Sequence, residues 1–136
     1  MLKFKFIIIS IALFIGFVGC SSDSEEPEEI NTYDEIVGKW TTTSYFSSGG
    51  YFVGNDDGEF FDFKSDKTCV YFSGDVLNTY DYYEYGYSPN SKTIALKHSK
   101  GWDLNIKVEF SNENEAIFYI GGKTSNSSKT IKVKRN

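Results

Sequence analysis

Histidine and cysteine, on which many metal sites and catalytic triads depend, are scarce in this sequence. Among its 136 residues there is one histidine, His98, and there are two cysteines, Cys20 and Cys69. A single histidine excludes a metal site built from several histidines, and any catalytic triad would depend on that one residue. We therefore predict a non-enzymatic protein with no cofactor and no metal site, in which His98 faces solvent at the end of a strand.

The sequence also lacks a long helical pattern, a glycine-rich loop placed before a helix and an excess of positive charge. Its formal net charge is −5 at pH 7. Nucleotides are commonly held by a glycine-rich loop at a helix N-terminus, and nucleic acids attract basic protein faces that displace counterions. We therefore predict no nucleic-acid partner.

The first feature that is present is an apolar leader. Residues 1–19 begin with Lys3 and Lys5 and continue as an apolar run over 6–19. That run is shorter than the roughly 20 residues of a membrane-spanning helix, and a short apolar run behind a basic start is typical of a secretion signal. We expect residues 1–19 to be cleaved.

An acidic stretch follows the leader. Residues 21–30 read SSDSEEPEEI and contain five carboxylates and one proline. This composition has too few apolar side chains to form a core. We predict that residues 20–32 form a flexible tether, whose ten central residues reach at most about 35 Å when fully extended.

Residues 33–136 are predicted to form one folded domain of β-strands. Runs rich in β-branched and aromatic residues are separated by short polar turns. The clearest run is WDLNIKVEF, in which Trp102, Leu104, Ile106, Val108 and Phe110 alternate with polar residues. Alternation of this kind places one set of side chains in the core and the other in solvent.

Hairpin-length turns join these runs, so neighbouring strands are expected to pair antiparallel. We predict an all-β fold, a small antiparallel up-and-down barrel of about eight strands, because closure removes the exposed edges of a sheet. A β-sandwich is the main alternative. A short helical turn is expected at NTYDEIVG, before the first strand.

Two motifs carry a resemblance to a known family. Phe17-Val18-Gly19-Cys20 resembles a bacterial lipobox, and Gly38-Lys39-Trp40 resembles the G-x-W signature that begins lipocalin-like barrels. With the hairpins FDFKSDKT and YEYGYSPNSKTIAL, the chain is similar to the lipocalin-like domain lipoproteins of Bacteroidota. The resemblance implies that Cys20 is lipidated and anchors an outer-membrane lipoprotein at the cell surface or on the periplasmic face. The serine and acid cluster after Cys20 resembles a surface-export signal, with a plain periplasmic linker as the alternative.

The resemblance also implies roles for three structural residues. The signature tryptophan of this family closes one end of the barrel beneath a basic residue, which matches Gly38 and Trp40 here and points to Arg135, the only arginine in the chain. We expect a cation–π contact between Arg135 and Trp40. The turn SDKT departs from the family, because Lys67 stands where a glycine is common.

Two binding surfaces are considered. A small apolar molecule or a glycan would occupy the barrel if its interior were open, and its candidate binding residues are Phe61, Phe63, Tyr85, Trp102 and Phe118. A barrel filled by its own side chains would carry no such ligand. The alternative function is a protein-interaction or structural role in an outer-membrane assembly, in which Tyr80 and Tyr82 would face outward if Tyr83, Tyr85 and Tyr87 face inward.

Two further features have plain structural interpretations. GNDDGE, residues 54–59, is rich in oxygen ligands but lacks the ligand spacing of an EF-hand, so we predict an ordinary acidic loop. Cys69 has no partner for a disulfide if Cys20 is lipidated. It is expected to be a small buried hydrophobe within a strand.

Overall fold

The structure is a computed structural model, in which residues 33–122 and 128–136 are described. The predicted leader, the predicted lipidation site Cys20 and the predicted tether up to residue 32 lie outside these residues. Within the described part of the chain, no helix is long and apolar enough to cross a membrane.

Nine β-strands make up the described domain, and each falls on one of the runs predicted from the sequence. They are β1 Gly38–Phe46, β2 Phe52–Gly54, β3 Phe60–Phe63, β4 Thr68–Phe72, β5 Tyr80–Ser88, β6 Thr93–His98, β7 Leu104–Asn112, β8 Glu115–Gly122 and β9 Ser128–Arg135. The predicted all-β class is confirmed.

The strands form a closed antiparallel barrel with eight strand positions. Each strand from β3 to β9 pairs with the next, and β9 returns to pair with β1. Because β9 occupies one side of β1, both β2 and β3 pair along the other side and share one position. The predicted small up-and-down barrel is therefore confirmed, and the architecture is consistent with a lipocalin-like barrel.

The two ends of the barrel differ. At the closed end, the chain before β1 forms a single turn in which the Tyr33 carbonyl accepts hydrogen bonds from the N–H groups of Ile36 and Val37, both at 2.9 Å. This turn stands where a helical turn was expected, and it is not a helix. The opposite end, here called the loop end, carries the connections that follow β1, β4, β6 and β8.

The interior is packed with aromatic and aliphatic side chains from every strand except β2. Phe61, Phe63 and Phe118 are each at most 1% exposed. The Phe63 ring lies 5.1 Å from the Tyr85 ring, and the Phe61 ring lies 5.9 Å from the Phe118 ring. These edge-on contacts are favourable arrangements of aromatic rings, so the alternating strand pattern has produced a core of interlocked rings.

The predicted contact between Trp40 and Arg135 is present at the closed end. Trp40 is fully buried, its indole N–H donates to the Ile36 carbonyl at 2.8 Å, and the Arg135 guanidinium carbon lies 4.8 Å from the ring centroid. Gly38 has a φ of +133°, and a Cβ at this position would lie 2.9 Å from the Arg135 side chain. The glycine of the signature is thus required by both backbone conformation and space.

Arg135 also connects separate parts of the closed end. Its guanidinium donates to the carbonyls of Glu35 and Val37 at 3.2 Å each, and to the carbonyl of Glu113 in the turn between β7 and β8. The first two carbonyls precede β1 and the third follows β7. One side chain at the end of β9 therefore connects the chain before β1 with the β7–β8 turn.

The prediction that Trp102 alternates into the core with the residues of β7 is wrong. The strand begins at Leu104, and Trp102 is 59% exposed. The Gly101 N–H donates to the His98 carbonyl at 2.9 Å and Gly101 has a φ of +83°. The chain is therefore still turning at Trp102, and the alternation of inner and outer faces starts two residues later.

Lys67 adopts the backbone conformation that the missing glycine would favour. Its φ is 68°, which lies in the left-handed region. Its ammonium lies 5.2 Å from the Tyr33 ring centroid, a contact that partly offsets the conformational cost.

Replacing Arg135 with alanine should lower the free energy of unfolding by about 2 kcal/mol, because the cation–π contact and the charged hydrogen bonds are both lost. Urea denaturation followed by circular dichroism measures the change. The control is Lys134→Ala, which alters the exposed neighbouring side chain on β9. Equal midpoints for the two variants would contradict the role given to Arg135.

Replacing Lys67 with glycine should raise the free energy of unfolding by about 0.5 kcal/mol, because relief of the left-handed strain exceeds the lost contact with Tyr33. Lys67→Ala loses the same contact and keeps the strain, so it should be destabilising. Thermal denaturation of both variants tests this pair, and a glycine variant no more stable than the alanine variant would refute the strain argument.

Candidate functional site

The five residues predicted to line a ligand cavity do not surround one. Phe61, Phe63, Tyr85 and Phe118 pack within the core at 5% exposure or less, whereas Trp102 lies at the surface. None of them lines the surface cleft of about 610 Å³ or the one of about 210 Å³. An apolar ligand held inside the barrel by these five side chains would have to displace the core.

The tyrosines of β5 divide between the two faces of the sheet. Tyr83, Tyr85 and Tyr87 are 5–7% exposed, whereas Tyr80 and Tyr82 are 53% and 66% exposed. The strand period of two explains this division. The outward arrangement considered for Tyr80 and Tyr82 is therefore the one adopted.

The larger cleft, here called the outer groove, lies beside Tyr82 on the outer face of β4, β5 and β6. Its volume is about 610 Å³. It is lined by Lys64, Thr68, Cys69, Val70, Tyr82, Tyr83, Glu84, Lys97, His98 and Ser99. Cys69 and Tyr83 face the core, so the side chains that a ligand meets in the groove come mainly from the alternate positions.

Strand register brings the polar residues of the outer groove into rows. Glu84 lies opposite both Thr68 on β4 and Lys97 on β6. Tyr82 lies opposite Val70, one step closer to the loop end. The groove thus combines an aromatic ring and an aliphatic patch with carboxylate, ammonium and hydroxyl groups, a mixture that can hold a ligand with both apolar and polar faces.

An aromatic row borders the outer groove toward the loop end. The Phe72 ring lies 5.4 Å from the Phe60 ring and 4.7 Å from the Tyr80 ring, and the Lys39 ammonium lies 4.1 Å from the centroid of Phe60. Phe72 is 6% exposed although it points away from the core. These contacts hold the aromatic side chains on the outer face of β3, β4 and β5 in fixed positions.

A buried carboxylate lies on the inner face near the loop end. Glu59 is 1% exposed, accepts a hydrogen bond from the Tyr71 hydroxyl at 2.7 Å and forms an ion pair with Lys129. Burial and the neighbouring Glu59 carboxylate both raise the pKa of Tyr71. Thr42 pairs through its N–H with the Glu59 carbonyl at 2.9 Å, and its buried hydroxyl has no partner within the described residues.

His98 is not the solvent-facing residue that was expected. Its side chain is 8% exposed, its Nε2 lies 3.6 Å from an Asp81 carboxylate oxygen, and its Nδ1 accepts the Lys100 N–H at 3.0 Å. The exposed Trp102 indole stacks on the imidazole, with ring centroids 4.9 Å apart. Trp102 covers His98, and His98 in turn fixes the orientation of Trp102.

The acidic loop at residues 54–59 uses its side chains to shape its own backbone. The Asp57 carboxylate accepts the Glu59 N–H at 3.1 Å, and the Asn55 side-chain oxygen accepts the Asp57 N–H at 3.4 Å. In the described ranges, no group of three or more histidine, cysteine or acidic residues is placed to hold a metal ion.

Cys69 is a free, buried cysteine on β4, as expected for a small hydrophobe within a strand. Burial raises the pKa of its thiol, and the nearby Asp62 carboxylate adds to that effect. The thiolate is the reactive form of cysteine, so Cys69 is poorly suited to nucleophilic chemistry.

Comparison of the sequence with protein-family models finds no matching model, and comparison with curated proteins finds no matching sequence. The lipocalin-like character of this chain therefore rests on its barrel architecture. A fold of this kind is compatible with a binding module, but a fold alone does not determine a function, which depends on the chemistry of a site.

Sequence reasoning identified Tyr82 but missed the rest of the outer groove. Lys64, Thr68, Val70 and Lys97 are separated along the chain, and only the register of β4, β5 and β6 brings them together. A usable signal was present in the alternation itself, since Thr68 and Val70 flank the buried Cys69 and must share the outer face.

Proposed function

We propose that this protein is a lipid-tethered, non-enzymatic binding module that recognises a glycan in the outer groove. The observation that carries the proposal is the exposure of Tyr82, which at 66% forms an accessible aromatic wall of a groove of about 610 Å³. The ligand is placed on the outer face of the barrel because Phe61, Phe63, Tyr85 and Phe118 fill the interior.

The chemistry of the groove suits a sugar. A pyranose ring has an apolar face, which stacks on a tyrosine ring, and a rim of hydroxyl groups, which need donors and acceptors. Tyr82 and Val70 provide the apolar contacts, while Glu84, Lys97 and Ser99 provide charged and hydroxyl partners. An apolar ligand would leave these polar groups without compensation for their lost water.

Anchoring through Cys20 is the second part of the proposal. It is supported by the apolar leader, by the lipobox-like residues before Cys20 and by the acidic stretch that follows. Several acyl chains on one residue would hold the protein stably, since a single chain binds a bilayer only marginally. The described chain begins with Tyr33 at the closed end, so a tether would join the barrel at the end opposite the loops.

A protein-interaction role in an outer-membrane assembly is the second candidate function. The specific observation in its favour is the aromatic row, in which Tyr80 packs against Phe72 next to the groove and is 53% exposed. Together, Tyr80 and Tyr82 form an exposed aromatic surface that is larger than the face of one sugar ring. Exposed apolar patches of this kind are common in protein interfaces.

Replacing Tyr82 with alanine should weaken glycan binding about tenfold, because one stacking contact contributes roughly 1 kcal/mol beyond its buried area. Glycan-array screening followed by isothermal titration calorimetry measures the effect. Tyr119→Ala is the matched control, since Tyr119 is 40% exposed on β8 and does not line the groove.

The outcome of that experiment separates the two candidate functions. Equal glycan affinities for the Tyr82 and Tyr119 variants would refute recognition in the outer groove. If no glycan binds, and crosslinking at position 82 on intact cells captures one defined outer-membrane protein that the Tyr80→Ser and Tyr82→Ser double variant loses, the protein-interaction function would replace it.

Replacing Cys20 with serine should leave an unprocessed precursor and abolish labelling by a palmitate analogue, because serine supplies no thiol for acylation. Metabolic labelling and gel mobility in the source cells measure both effects. Cys69→Ser is the control and should keep normal labelling. Persistent labelling of the Cys20 variant would contradict the proposed anchor.

A further inference from the structure

The loop end of the barrel displays apolar side chains that the core does not use. Tyr51 lies before β2, Val76 and Leu77 lie between β4 and β5, and Trp102 lies between β6 and β7. They are 64%, 84%, 70% and 59% exposed, in that order. Their connections all lie at the same end of an antiparallel barrel, so four large apolar groups are exposed at that end.

The same end is strongly acidic. Six carboxylates occur in its described loops, the adjoining β2–β3 connection and the nearby strand ends, against three lysines. The acidic residues are Asp56, Asp57, Glu59, Asp75, Asp81 and Asp103, and the lysines are Lys97, Lys100 and Lys129. Since Lys129 is paired with Glu59, the net field of these described residues favours an incoming cation.

Two of these loops are braced rather than free. The Asp75 N–H donates to the Asp57 carbonyl at 2.7 Å, which ties the loop bearing Val76 and Leu77 to the acidic loop. Trp102 is held by its stack on His98 and by the Lys100 ammonium, which lies 5.5 Å from the centroid of the indole. A braced apolar group loses little conformational freedom when a partner covers it, so it can act as an anchor at low entropic cost.

The ion pair of Glu59 shows that this end accommodates an ammonium group. Glu59 and the Tyr71 hydroxyl form a buried acceptor and its hydrogen-bond partner, and Lys129 supplies the cation from the start of β9 although its side chain is 48% exposed. A carboxylate that binds a lysine ammonium group is thus already present at this end of the barrel.

We propose that the loop end is a docking surface for a basic peptide segment of another protein, in which lysine or arginine residues flank an apolar side chain. The apolar residue contacts Trp102 and Leu77, and the basic residues lie against Asp75, Asp81 and Asp103. Complementary charge of this kind raises association rates and selects against acidic partners. The excess of carboxylates also disfavours an anionic bilayer as the occupant, because its phosphate groups would be repelled.

This surface is separate from the outer groove, and its function does not depend on the glycan proposal. Trp102, Leu77 and Asp103 do not line the groove, and Tyr82 lies on the outer face of β5. The two surfaces adjoin at His98, which lines the groove and stacks on Trp102.

The test uses the full chain in nanodiscs of neutral lipid and short synthetic peptides of three matched kinds. The first kind combines lysine and arginine with leucine and tryptophan, the second replaces the basic residues with glutamate, and the third replaces the apolar residues with serine. Only the first kind should bind well. Its affinity should fall roughly tenfold with Trp102→Ala or Asp103→Asn and should weaken as salt rises, whereas Tyr82→Ala should leave it unchanged.

Several results would overturn this proposal. Equal binding of the three peptide kinds, absence of binding, or affinity unchanged by both Trp102→Ala and Asp103→Asn would each reject a basic partner. Vesicles containing phosphatidylglycerol provide a further arm, and capture of the nanodiscs by these vesicles through Leu77 and Trp102 would identify a membrane as the occupant. Concentration-dependent dimerisation lost in the Trp102 variant would identify a second copy. Retained thermal denaturation midpoints in the variants exclude misfolding as the cause of any loss.

Discussion

The contact of the Arg135 guanidinium with the Trp40 indole is the interaction on which the rest of the barrel depends. It joins the last residues of β9 to the first strand, where the sheet closes on itself. The same cation binds carbonyls of the turn before β1, so the turn, the closing strand pair and the floor of the core are fixed together. Gly38 permits this arrangement, since any side chain at that position would occupy the space of Arg135.

A packed interior follows from that closure and determines where binding can occur. Trp40, Phe61, Phe63 and Phe118 are all buried, so the space inside eight strand positions is occupied by the protein's own rings. Truncating one such phenylalanine typically costs about 3–5 kcal/mol. Displacing several of them would cost more free energy than the binding of a small apolar molecule provides. Ligand binding is therefore expected on the outer face of the sheet and on the loops.

The strands and the barrel could be predicted because alternation and short turns each act over a few residues, whereas the pairing of Trp40 with the distant Arg135 was implied by the resemblance to lipocalin-like barrels. Trp102 was misplaced, since alternation does not show where a strand begins, and a turn ending at Gly101 delays the start of β7. The exposure of His98 was also predicted wrongly, because the side chain that covers it is the misplaced Trp102. Glu59 depends on a lysine from the distant β9, and the outer groove depends on the register of β4, β5 and β6, which alternation within one strand does not specify.

The core and the outer groove are coupled through the tyrosines of β5. Burial raises the pKa of Tyr85 to about 12, and the neutral hydroxyl that burial favours donates to the Lys64 carbonyl at 2.7 Å. Lys64 lines the groove, so a side chain from the interior holds one of its walls in place. Tyr82, three residues earlier, faces outward and can meet a ligand. One strand thus supplies both the contact surface and the support that keeps it rigid, and this explains how a barrel with a packed interior can present a preorganised site on its exterior.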